Sequence, residues 1–112
     1  MSILIISRRA EKNQIFEMLA ELETLIKLAV DVERRVIAGG GEYHSDCEEA
    51  LLNDGSKQDN VWGADWVPER REVKYLSMIN VRPALGNNSM DIQIENLRTR
   101  IESIVMSLLD IQ

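Results

Sequence analysis

Apolar residues recur at steps of three and four from Ala10 to Ala29, at Ile15, Met18, Leu19, Leu22, Leu25, Ile26 and Ala29. That spacing predicts an amphipathic helix over 10–29, with Glu17, Glu21, Glu23 and Lys27 between the apolar positions and no glycine or proline to interrupt it. The period then falls to two: Val30, Val32, Val36 and Ala38 share a face, with Arg34 out of pattern, which predicts a half-buried strand over 30–38. Gly39-Gly40-Gly41 should end that strand, because three glycines favour neither regular structure and tolerate positive φ or close chain packing.

Farther along, Ser45-Asp46-Cys47-Glu48 has the form of a capping box, and a helix is expected over 46–53, closed by Gly55. Two extended runs, 61–67 and 72–81, flank Pro68-Glu69-Arg70-Arg71 and read as an antiparallel hairpin. In the second run Val73, Tyr75, Ile79 and Val81 fall on one face. A turn-rich loop covers 83–89. Ile94, Leu97, Ile101, Ile104, Val105 and Leu108 then form one helical stripe, giving a long helix over 94–110. Minor strands fit 3–6 and 90–94. The expected fold is therefore α+β: an antiparallel sheet with strands near 30–38, 61–67 and 72–81, covered on one face by long helices 10–29 and 94–110, with a short helix at 46–53.

The length of 112 residues suits one domain spanning 1–112, and 45% hydrophobic with 29% charged residues is ordinary for a globular protein. A single cysteine excludes an internal disulfide. The N-terminal apolar run is too short for a signal peptide, and no segment approaches the ~20 apolar residues of a membrane helix, so a cytoplasmic location and no membrane partner are expected. The net charge of −6 is concentrated centrally: residues 42–59 hold six acids and one base. Such a belt opposes nucleic-acid binding, which needs Lys and Arg against phosphate, and the pairs Arg8-Arg9, Arg34-Arg35 and Arg70-Arg71 are isolated.

Candidate chemistry gathers at 39–48, where the glycine triplet meets the only histidine and the only cysteine. His44 with Glu42, Asp46 and Glu48 offers an imidazole among carboxylates, a ligand type for zinc or manganese, yet one histidine falls short of a usual ligand set, and neither metal nor cofactor is expected. Capping accounts for much of the acid: Ser45 and Glu48 can satisfy helix-start amides while Asp46 and Glu49 sit in the first turn, where the helix dipole favours negative charge. Cys47 lies among acids and on the face of Ala50 and Leu51, which reads as a packing cysteine. Phosphate binding by the triplet is disfavoured by Glu42 and Asp46 and by the absence of a P-loop or dinucleotide signature. A second polar group joins Asn80, Arg82 and the Gly86–Ser89 loop, where Arg82 either holds an anionic ligand or clamps one of the central acids, Asp46 or Glu48. Trp62 and Trp66 share a strand face and should pack against a helix.

The run G-G-x-x-H-x-D-x-E at 40–48, with Leu51-Leu52, Gly55-Ser56-x-Gln58, Trp62-Gly63, Ile79-Asn80-Val81-Arg82-Pro83 and Asn87-x-Ser89, resembles a family of small bacterial and cyanobacterial proteins carrying a domain of unknown function. The resemblance spans 30–109 and implies no established reaction. Two functions follow from the residues. The first is a non-enzymatic interaction module, probed as a homodimer because Phe16, Leu28, Met106, Leu109 and Ile111 lie beyond the main apolar stripes. The second is a small hydrolase or domain binding an unidentified small molecule, in which His44 acts as base or metal ligand, Asp46 orients it and Arg82 holds an anion; Glu42, Asn80 and Ser89 complete that candidate site.

Overall fold

The computed structural model describes residues 2–111. Its sheet has five strands in the order β1-β3-β2-β4-β5, with every neighbouring pair antiparallel: β1 Leu4–Ile6, β2 Ile26–Asp31, β3 Val36–Gly39, β4 Val61–Val67 and β5 Glu72–Lys74. The α-helices are α1 Lys12–Leu19, α2 His44–Asn53 and α3 Glu95–Leu109. The α+β class, the antiparallel sheet, the hairpin across 68–71 and the minor first strand agree with the sequence. No helix among the described residues is long and apolar enough to cross a membrane.

The expected helix over 10–29 is cut short. α1 stops at Leu19, Glu23 takes a positive φ of 67°, and the chain re-enters the sheet at Ile26. The reason is burial on both sides. Ile26, Leu28 and Val30 face the large core while Ala29 faces the other side of the sheet, all at 0% exposure. A central strand hidden on both faces loses the polar alternation that distinguishes strand from helix.

The expected single strand over 30–38 is instead two, β2 and β3, joined by a tight turn. Asp31 Oδ1 accepts from the backbone N–H of Glu33 and Arg34, each at 2.9 Å, and Arg35 adopts a φ of 56°. An aspartate that binds the amides two and three residues on makes such a turn without glycine. The misfit of Arg34 to the strand period was the trace of this reversal.

Helices cover both faces of the sheet, not one. Ile15 and Met18 of α1 and Ile101, Ile104 and Val105 of α3 pack over Leu28, Val30, Trp62, Ala64 and Trp66. Both tryptophans are thus core residues, at 4% and 1% exposure. On the opposite face, Cys47 and Leu51 of α2 pack on Ala29, Val36, Ala38 and Val61. Leu28 and Leu109 are buried, and Met106 and Ile111 pack against the core, so of the five apolar residues that suggested a dimer only Phe16 is exposed. The far end of α3 is tied down as well: Arg71 grips the Asp110 carboxylate through Nε and Nη2 at 2.9 and 2.7 Å, Arg9 Nη2 donates to the Asp110 carbonyl at 2.6 Å, and Ala10 N–H donates to the Leu108 carbonyl at 2.8 Å.

The second hairpin strand is also shorter than the sequence suggests. β5 pairs only with Asp65, Trp66 and Val67, which leaves the first half of β4 without a strand on that side. A side chain fills the gap. Asn80 Oδ1 accepts from Gly63 N–H at 2.7 Å, and Asn80 Nδ2 donates to the Gly63 carbonyl at 3.0 Å, a two-point pairing that mimics a strand neighbour. To reach it the chain leaves the sheet after Lys74 and turns through a short 3-10 segment at Met78–Asn80, whose first amides are met by Ser77 Oγ at Ile79 N–H. A second buried amide holds the return: Asn87 Nδ2 donates to the carbonyls of Asn80, Ser89 and Asp91 at 2.8, 2.9 and 3.0 Å. No strand forms at 90–94. Met90 instead accepts from Ser77 N–H at 3.0 Å.

Gly63 is required by this closure, since a Cβ there would come within 2.5 Å of Ser77 Oγ and 2.6 Å of its Cβ. Gly63→Ala is therefore expected to lose about 1–3 kcal/mol through overpacking. Asn80→Ala, which strands the Gly63 amide and carbonyl, is expected to cost about 1–3 kcal/mol. Urea unfolding measures both, and an unchanged midpoint in either variant would remove the edge closure as a source of stability.

Candidate functional site

Gly40 and Gly41 set where α2 begins. Gly40 turns the chain with a φ of 105°, and a Cβ on Gly41 would crowd Cys47 Sγ at 3.3 Å. The helix starts at His44, two residues before the expected point, with Tyr43 as an N-cap that makes no side-chain cap. The proposed capping box is thus absent: Ser45 and Glu48 lie inside the helix. Asp46 does occupy the first turn, where the helix dipole favours its charge.

His44 Nε2 lies 2.7 Å from Asp65 Oδ1 and 3.2 Å from the Ala64 carbonyl. Both neighbours are acceptors, so Nε2 carries the proton and donates to them. The orienting carboxylate comes from β4 and not from Asp46. Asp65 could be found in the sequence as the one charged residue of β4, on the same strand face as Gly63 and Val61.

Arg82 acts as a clamp. Its Nη2 donates to Glu48 Oε2 at 2.8 Å, its Nη1 donates to the Gln58 carbonyl at 2.7 Å, and its guanidinium lies 5.0 Å from the Trp62 ring centroid. Burial pulls the Arg82 pKa below its ordinary value, while Glu48 and Asp59 oppose that shift. A guanidinium held on three sides links α2, the turn before β4 and the 75–93 segment.

Two grooves flank the short turn at Met78 and Ile79, which lines both. The first, of about 270 Å³, is lined by Lys27, Tyr43, His44 and Ser45 and by the apolar Leu76, Met78 and Met90. The second, of about 450 Å³, holds Glu48, Asp59, Val81 and Arg82. His44 and Arg82 therefore face different grooves. Of the remaining expected site residues, Glu42 is exposed, Asn80 is consumed by Gly63, and Ser89 Oγ accepts from Asp91 N–H at 3.1 Å. Lys27 and the apolar wall were missed, because 10–29 read as one helix with Lys27 on its solvent side. In the sheet Lys27 stands directly across from Asp65. Among the described residues no group of three or more His, Cys, Asp or Glu side chains is placed to hold a metal ion.

Cys47 is buried, donates its thiol to the Lys27 carbonyl at 3.4 Å, and has its pKa pushed up by burial from 9.0 to about 11. Near pH 8 it is a thiol, and only the thiolate is a nucleophile. An aromatic disulfide reagent should label the native protein far more slowly than the urea-unfolded chain; equal rates would contradict this burial. His44→Ala leaves the largely buried Asp65 without its donor and is expected to cost about 1–3 kcal/mol, read from the shift in urea midpoint, whereas no shift would show that the bond adds nothing to the fold.

No curated protein and no solved structure gives a significant match to the chain. One family model does match, over residues 4–108, and its description is that of a protein of unknown function. That match takes in every strand and nearly all of α3, together with both grooves, and on it the chain belongs to the DUF5674 family.

Proposed function

We propose that this protein is a non-enzymatic interaction module that docks a partner, in the first instance a second copy of itself, through the face formed by Tyr43 and the 76–90 segment. One observation carries the reading. Of the seven large apolar side chains exposed among the described residues, five lie on this face: Tyr43, Leu76, Met78, Val81 and Met90, with Met78 at 73% and Leu76 at 57% exposure. Clustered exposed apolar groups on a small domain mark contact surfaces, and methionine adapts readily to a partner's shape.

The histidine, arginine and cysteine that could carry catalysis near this face are already engaged, which favours binding over turnover. His44 gives its Nε2 proton to β4, Arg82 is held by Glu48 and Gln58, and the Cys47 thiol is protonated and buried. The alternative, a hydrolase built on His44, Asp46 and Arg82, would need the chain to reposition two of these three, since His44 is bound to Asp65 and Arg82 lines the other groove.

Light scattering on eluting protein tests the proposal. The wild-type mass should rise towards that of a dimer as concentration increases, and Met78→Asp, a fully surface change, should hold the monomer mass with its melting temperature unchanged. A wild-type chain that stays monomeric throughout, or a Met78→Asp variant that still dimerises, would overturn this use of the face.

A further inference from the structure

The smaller groove differs from the rest of the face in carrying a lysine among its lining residues. Lys27 brings an ammonium to it, in contact with the Tyr43 ring at 5.8 Å from the centroid, and among the described residues no carboxylate lines the groove although the chain carries 19 acids. Asp65, the acid opposite Lys27 in the sheet, has its nearest oxygen on His44 at 2.7 Å. Lys27 makes no ion pair with a described residue. Ser45 lines the same groove, together with the apolar Leu76, Met78 and Met90.

We propose that this groove binds a short-chain monocarboxylate, its carboxylate on Lys27 Nζ and the Ser45 hydroxyl and its alkyl body along Leu76, Met78 and Met90. The assignment rests on reading the 76–90 face as the recognition surface and names a ligand for one part of it. Size supports a small acid. A volume of about 270 Å³ matches roughly nine water-sized positions at ~30 Å³ each, just below the range of drug-sized sites. Charge sets the sign. A lone ammonium partly removed from water prefers an anionic partner, and the apolar walls select an alkyl chain over a hydrated inorganic ion.

Ligand-observed NMR on the full chain tests this, at a dilution where light scattering shows monomer, with hexanoate, hexylammonium and hexanol as probes. Hexanoate should receive saturation from the protein and bind saturably, and hexylammonium should not. Lys27→Met keeps the length of the side chain and should weaken hexanoate by about ten- to a hundredfold, the worth of a charge-assisted hydrogen bond, while leaving hexanol unchanged. Absence of saturable hexanoate binding, equal binding of hexylammonium, or full affinity in Lys27→Met would each overturn the proposal. If Lys27→Met does not fold, the comparison of hexanoate with hexylammonium on wild type decides alone. Failure here leaves the dimer reading standing, since that is read from mass without any acid present.

Discussion

The first half of β4, left without a strand partner on one side, is the constraint around which the rest of the molecule is arranged. A strand edge presents unpaired N–H and C=O groups, and burying them without partners would cost more than most single contacts return. β5 is too short to cover them, so Asn80 supplies the missing donor and acceptor to Gly63. Several features follow from that one pairing. Gly63 has no room for a side chain, Ser77 must turn the chain, Asn87 must hold its return, and Met78, between them, is pushed out to 73% exposure. The apolar face proposed to bind is thus a by-product of how the sheet edge is closed.

How much of this the residues announced depends on which force governed each element. α3 was legible because one face is core and the other is solvent, so its period survives in the sequence; β4 is buried on both faces and was legible instead as a short apolar run closed by Pro68. β2 was not legible, because both its faces are buried and its apolar run satisfies a helical period as well as a strand. The two reversals bounding it carry no glycine or proline: Glu23 and Arg35 take positive φ, and Asp31 folds the second turn with its own carboxylate. Asn80 read as a strand residue of a candidate site and Asn87 as part of a turn-rich loop, since nothing in the local pattern shows that their amides are buried against backbone groups.

The site was half legible. His44 and Arg82 stood out as the only histidine and an arginine in a polar cluster, and both line grooves. Their partners, however, were chosen by topology. Asp65 reaches His44 only because β4 lies beside β2 under the start of α2, whereas Glu48, one of the two acids expected to be clamped by Arg82, is the one it holds. Lys27 became visible as a groove residue once β2 replaced the second half of a helix. Electrostatically the two grooves are opposites: one sets a guanidinium against carboxylates, the other an ammonium with none on its lining.

The contacts of residues 9 and 10 with 108 and 110 have a kinetic consequence. Arg9 and Ala10 are held by carbonyls about a hundred residues away, and β1 lies at the sheet edge beside β3. Pairings of such separation close large loops and raise contact order, which slows folding relative to a local helical bundle. On a ribosome the corner between β1 and α1 must wait for α3 to emerge, so the α1-covered half of the core stays open until then.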